Sequence, residues 1–274
     1  MLMVTRNTLS LNDRGVSESI GFMLIFAIVI AGIGLVTLYG YPLLLQQQVG
    51  ADEKIMEKNM IVLQNDIKSL AYKTVPFKET SLKIGGGSLT VYSSTTNPGA
   101  SNITIYDSTS PPNRYILNFS SGELRYESVS AQTDISLQNG AVVMRPRSQP
   151  GSTMLAEPRW FYDANTNTMV INLINITSSG LMAKEGIGTV QMALGNTNYS
   201  YSSIPAGTAM KLDYTPDLTG VQNYSVAWDS YFTQTLKMPS PVISGATRKY
   251  QLPTDTTRPA TLVIKRYEVI IKNL

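Results

Sequence analysis

The chain is predicted to adopt an α+β fold: a long N-terminal transmembrane and amphipathic helix, then a mainly antiparallel β-sheet or β-sandwich domain with one short helix. Three observations predict it. The 26 residues from Ile20 to Leu45 contain no charged side chain. Apolar residues then recur at helical spacing as far as Leu70. Beyond Pro76, short runs alternate at period two between clusters of Gly, Asn and Ser, the pattern of hairpin-linked strands.

Composition narrows the chemistry. The 274 residues include no Cys and no His, 15% are charged, and the net charge is +3. Without Cys there is no disulfide framework, zinc-thiolate site or thiol nucleophile. Without His the commonest general base and metal ligand are missing, and Ser-His-Asp mechanisms are excluded. The basic residues are scattered, so no nucleic-acid partner is expected. No metal, no cofactor and no enzymatic activity are predicted.

A bilayer core of ~30 Å needs about 20 helical residues. Ile20–Leu45 meets that length, and Ile20, Phe22, Leu24, Phe26, Ile28, Ile30, Ile33, Leu35 and Leu38 leave it no polar face. A cleaved secretory signal is shorter and ends in a small-x-small site, whereas Tyr39-Gly40-Tyr41-Pro42 offers none. A buried helix of a soluble core is the plain alternative. Arg14 ahead of the span favours a cytoplasmic N-terminus by the positive-inside rule. The segments expected are a cytoplasmic leader over 1–15, a transmembrane helix over 16–45, an amphipathic continuation over 46–75 and an extracytoplasmic β-rich domain over 76–274. That domain has a candidate division into sub-modules near 76–180 and 181–274.

Ala27, Ala31 and Gly32 give the span small positions that allow close helix packing in a filament core or dimer, although Gly is frequent in membrane helices generally. Pro42 predicts a kink, since it lacks an N–H and crowds the preceding turn. After it, Leu45, Val49, Met56, Met60, Leu63, Ile67 and Leu70 form one apolar stripe. A coiled-coil stalk is the alternative use of such a stripe, but the heptads are few.

The β-region begins with Leu82–Tyr92, interrupted by Gly85-Gly86-Gly87. No Lys-Ser/Thr follows those glycines, so a turn or bulge is preferred to a phosphate loop. Asn97-Pro98-Gly99 is a turn signal. Asn102–Tyr106 alternates at period two, as do Tyr115–Phe119 and Gly122–Tyr126 around the turn Ser120-Ser121-Gly122. Asn139-Gly140 is a favoured hairpin dipeptide ahead of Ala141–Arg145. Asp163–Asn167 has a faint calcium-loop character but lacks the Gly and terminal Glu of an EF-hand, and reads as a turn between Trp160–Tyr162 and Thr168–Ile174. Gly188–Leu194 is a further strand. Tyr224, Trp228, Tyr231, Phe232 and Leu236 recur at helical spacing and predict the short helix. Thr261–Lys272 reads as a long strand with Val263, Tyr267, Val269 and Ile271 on one face, and its three basic residues point to a partly exposed or edge strand. Asp213 with Asp217, or Asp134 with Glu123, are read as surface or turn residues rather than catalytic pairs. Five Asn-x-Ser/Thr sequons, at Asn102, Asn118, Asn175, Asn198 and Asn223, are candidate glycosylation sites.

Arg14-Gly15-Val16-Ser17-Glu18-Ser19-Ile20-Gly21-Phe22, leading into a long apolar helix, resembles the N-terminus of archaeal type IV pilin-like precursors. In those precursors a prepilin peptidase cuts a short basic leader just before the apolar helix. The resemblance implies a cut between Gly15 and Val16. It places Glu18 at the third mature position, where some archaeal pilins carry Pro and others an acidic residue. Bacterial pilins carry their acidic residue at the fifth position, so Glu18 does not match that pattern. The rest of the chain is similar to one uncharacterised archaeal family of such proteins, through Gly85-Gly86-Gly87-Ser88-Leu89, Gly151–Met154, Pro158–Tyr162 and the Trp-containing stretch Ala227–Phe232. That family implies an archaeal envelope protein, exported by the general secretory route and either assembled into a filament or left anchored.

The residues support such processing on their own terms. Gly15 after a basic residue offers a protease a narrow, flexible backbone. A freed Val16 amine could pair with Glu18 of a neighbouring subunit. Equally, Ser17 can cap the helix while Glu18 meets its N-terminal dipole. The function expected is a membrane-anchored surface protein, filament-forming or adhesive. The alternative is a non-polymerising single-pass envelope module that binds a ligand or scaffolds other proteins. The partners expected are the membrane, a prepilin peptidase, and other pilin-like subunits or copies of itself. The bulk of the chain is expected outside the cell.

Overall fold

The computed structural model describes residues 13–73, 75–95, 101–217 and 223–274. Residues 1–12 of the expected leader and the Asn97-Pro98-Gly99 turn lie outside them. The chain forms two units, residues 1–50 and 51–274.

In the first unit, helix α1 covers Asp13–Leu35 and a π-helical turn covers Val36–Gly40. Helix α2, Tyr41–Lys73, follows directly. The π turn sits where the proline demands it. Pro42 cannot donate to a carbonyl four residues back, and the Tyr41 N–H reaches the Val36 carbonyl five residues back. The predicted kink site is therefore met by a widened turn just ahead of the proline.

In the second unit, α2 buries Met56, Met60, Leu63, Gln64, Ile67, Leu70 and Ala71. The expected stripe is right from Met56 onward. Leu45 is exposed and Val49 half-buried, so both belong to the apolar stretch rather than to the packing face.

Among the described residues fourteen strands make two sheets. They are β1 Phe77–Tyr92, β2 Asn102–Asp107, β3 Arg114–Ser120, β4 Glu123–Ser128, β5 Thr133–Gln138, β6 Ala141–Pro146 and β7 Thr153–Ala156. There follow β8 Phe161–Asp163, β9 Thr168–Ser178, β10 Met182–Ile204, β11 Met210–Thr215, β12 Val242–Ser244, β13 Thr247–Gln251 and β14 Ala260–Asn273. The nine-stranded sheet runs β7-β6-β5-β4-β1-β10-β14-β9-β8, and the five-stranded sheet β12-β13-β11-β2-β3. The pairing is antiparallel except between β14 and β9. Helix α3, Ser225–Ser230, continues into a second π turn, Tyr231–Thr235, and Tyr224, Trp228, Tyr231, Phe232 and Leu236 are buried as their spacing predicts.

Two cores lie on opposite faces of the large sheet. One joins the α2 stripe to Leu89, Leu124, Tyr126, Leu137, Ile174 and Val269. The other joins Ile171, Leu173, Leu262 and Ile264 to the small sheet and α3, around Trp160, Trp228 and Phe232. Strand alternation makes this possible, because successive side chains point to opposite faces.

Several expectations are corrected. No boundary falls near residue 180: β1 pairs with β10, and β9 with β14, so strands from 76–180 and 181–274 interleave. The strand over 261–272 is not an edge, since β14 lies between β10 and β9. Ser120-Ser121-Gly122 is no hairpin turn, because it carries the chain from β3 in the small sheet to β4 in the large one. Gly85–Gly87 is a bulge inside β1, where the register with β10 shifts between Ile84 and Ser88. A Cβ on Gly87 would overlap the Glu127 carbonyl, so a glycine is required there. Asn139 and Gly140 both take positive φ, at 47° and 72°, in the two-residue turn between β5 and β6.

Candidate functional site

The site read from the sequence is the N-terminal segment. Backbone of Arg14, Gly15, Val16 and Glu18 lies in the first turns of α1.

From Ile20 onward the side chains are all outward. Ile20, Phe22, Leu24, Phe26, Ile28, Ile30, Ile33, Leu35 and Leu38 are exposed, as are Ala27, Ala31 and Gly32. Nothing stands within 4 Å of where a Cβ would lie on Gly21, Gly32 or Gly34, leaving that surface open. Among the described residues this is the one helix long and apolar enough to cross a membrane. Each such side chain is worth roughly 1.5–3 kcal/mol when buried, so the helix is incompatible with water all round.

The sequon asparagines differ in access. Asn118 and Asn198 are exposed, whereas Asn102, Asn175 and Asn223 are half-buried. Asn118 accepts from Thr104, and Asn223 accepts the Ser225 N–H at 3.0 Å. Asp163 accepts the Asn165 N–H at 3.0 Å and the Thr166 hydroxyl at 2.8 Å, closing the hairpin turn. Among the described residues no group of three or more Asp or Glu could hold a metal ion.

One cluster escaped the sequence. Glu123 and Asp134, read as surface or turn residues, are 4% and 1% exposed. They point away from α2, into the space between the sheets. Arg125 pairs with Glu123 and, at 2.9 Å, with Glu127. Arg147 pairs with Asp134 through Nε at 2.8 Å. Ser136 donates to Glu123. Burial works against the Arg125 charge, but the neighbouring Glu123 more than compensates, and the guanidinium is held more firmly charged than usual. Each carboxylate is thus neutralised by an arginine. Charged residues are so seldom buried that alternation alone places them outside, and no local pattern marks the exception.

A cleft of about 710 Å³ opens between the second π turn and the end of β13, with Trp160, Phe161, Lys237 and Leu252 on its walls. It holds no carboxylate, and its polar groups are dominated by hydroxyls, one lysine and backbone.

The model of a family of unknown function (DUF7289) matches residues 14–270. The chain belongs to that family. The match runs from Arg14 through α1, α2 and both sheets, so the apolar helix and the β-rich unit belong to one family pattern. No curated protein and no solved structure matches the chain.

Proposed function

We propose that this member of DUF7289 is a surface protein held in a membrane by α1 and processed between Gly15 and Val16, in the manner of the archaeal type IV pilin-like precursors its N-terminus resembles. One observation carries the reading. The helix that emerges from the apolar stretch is the same helix, α2, that supplies Met56, Met60, Leu63, Ile67 and Leu70 to the core. Removal behind the apolar stretch would cut through continuous helix, whereas removal ahead of it leaves anchor and β-unit joined. The apolar helix is therefore retained, and its exposed surface needs lipid or other helices around it.

The open positions at Ala27, Ala31, Gly32 and Gly34 suit a second helix, and the occupant within this reading is another copy or a related subunit. The role is mechanical rather than enzymatic. The chain has neither His nor Cys, and the buried carboxylates of Glu123 and Asp134 are engaged by arginines. With residues 51–274 outside, Asn118 and Asn198 are the sequons accessible to a glycan.

Protease treatment of intact cells, followed by fractionation, tests the placement. Residues 51–274 should be lost while the apolar helix stays with the membrane. Full protection of the unit in intact cells would overturn it. Imaging of sheared surface material separates filament from anchored monomer: fibres containing the chain support assembly, and their absence leaves the non-polymerising module.

A further inference from the structure

Strand β14 is central but partly exposed, the first of the two settings its basic residues pointed to. Val263, Lys265 and Tyr267 share the α2 face of the large sheet with Val269 and Ile271, but only Tyr267 onward is covered by the helix core. Helix α2 ends at Lys73, and beyond it the sheet face is open. Register fixes what lies there. Tyr199 stands opposite Lys265, which stands beside Asn172, while Tyr201, Val263, Val170 and Phe161 form the next row across four strands. At ~4.8 Å per strand that row spans roughly 14 Å.

The open face forms a groove of about 640 Å³. Its floor and walls are aromatic rings with polar tips. Tyr199 meets Tyr267 edge-on at 6.0 Å, and Tyr267 meets Tyr72 edge-on at 5.4 Å. Two cations stand over them: the Arg159 guanidinium 5.0 Å from the Tyr72 centroid, and the Lys265 ammonium 5.9 Å from that of Tyr199. Neither cation has an ion-pair partner among the described residues, and no carboxylate lines the groove. Tyr199, Tyr201 and Phe161 are 61%, 73% and 46% exposed, an aromatic density unusual for solvent-facing strands.

We infer that this groove binds an acidic saccharide chain, with sugar faces stacked on Tyr199, Tyr201 and Phe161 and sugar carboxylates paired to Arg159 and Lys265. Tyrosine offers rigid amphipathic contact at low entropy cost, and arginine pairs with a carboxylate in a planar two-bond geometry. The tyrosine hydroxyls stay protonated as neutral partners for sugar hydroxyls, since burial pushes Tyr72 up to about 12 and Tyr267 upward as well. An extended peptide is less suited. Of the strands beneath the groove β10, β14 and β9 are central, and the edge strand β8 is only 3 residues long, so little free edge is offered for a peptide to pair with. The inference rests on the outside placement proposed above only for where such a polymer is met, because binding itself needs neither leader cleavage nor filament assembly.

The test is calorimetric titration of the full chain in detergent with oligogalacturonate. The same sugar after carboxyl reduction, poly-glutamate and phosphatidylglycerol vesicles serve as competitors for the assignment. Saturable binding to oligogalacturonate alone is expected, about tenfold weaker in the double variant R159Q/K265Q, as loss of a charge-assisted pair predicts. Tyr199→Ala, at a side chain too exposed to endanger the fold, should weaken it similarly. The inference is overturned by no binding, by equal binding of the reduced sugar, poly-glutamate or vesicles, or by affinity unchanged in the variants. Any of these would leave the membrane and processing reading untouched.

Discussion

Arg125 governs the buried face of β4, because it is the ion-pair partner of the buried Glu123 among the described residues, whereas Glu127 also meets Arg147 at 3.6 Å. Arg125→Ala strands Glu123 in the interior and should lower stability by about 3–5 kcal/mol in urea unfolding, whereas exposed pairs such as Lys54–Glu57 should contribute little. Asp107 is a second such centre. It accepts the backbone N–H groups of Thr109 and Asn113 at 3.1 and 2.9 Å, the Asn113 amide at 2.9 Å and the Tyr115 hydroxyl at 2.9 Å. Burial acts to raise its pKa, but these bonds outweigh it and hold the carboxyl below its ordinary range. A carboxylate depressed in the fold contributes stability above its unfolded value, about 3.9, and loses it as pH falls through the folded value. Asp107→Asn should therefore cost about 1–3 kcal/mol at pH 7 and flatten the acid side of the stability profile below about pH 4. Neither centre was legible beforehand. The partners of Asp107 lie within eight residues of it, and those of Glu123 are Arg125 on the same strand and Ser136 on β5, a pairing that alternation alone places in solvent. The turn residues fared better: Asn139 and Gly140 announce their positive φ by type alone.

Helix α2 is the element that joins the two kinds of surface. Its upstream stretch is apolar on all sides and its downstream stretch on one, and both patterns are readable at period 3.6. Leu63 is fully buried under the large sheet, and Leu63→Ala should cost about 2–5 kcal/mol, measured by thermal or urea unfolding of the detergent-solubilised chain. Gln64 beside it was invisible to hydrophobic periodicity, yet its amide donates to the Gly140 carbonyl at 2.7 Å and ties the helix to the β5–β6 turn. In strand β14 the three basic residues pointed to a partly exposed or an edge strand; the strand is central and partly exposed, and Lys265 stands where it runs past its helical cover. Coverage is a property of packing, and sequence alternation reports only that one face tolerates water.

At the scale of the molecule, the α+β class was legible and the connectivity was not. Pairings such as Phe77 with Ala193, or Thr261 with Thr168, join segments about ninety or more residues apart, and no local signal specifies them. The two sheets consequently interleave where the chain looked divisible, and the β-rich unit is built as one body over residues 51–274. The long apolar helix, by contrast, is written in a contiguous stretch, so its existence could be read directly. The central claim is that α1 is a processed anchor kept on the mature protein. N-terminal sequencing with intact-mass measurement of the membrane-extracted native protein tests it most directly. The mature chain should begin at Val16 with the apolar helix intact; a chain that still carries Arg14 and Gly15 would show that α1 is not processed there.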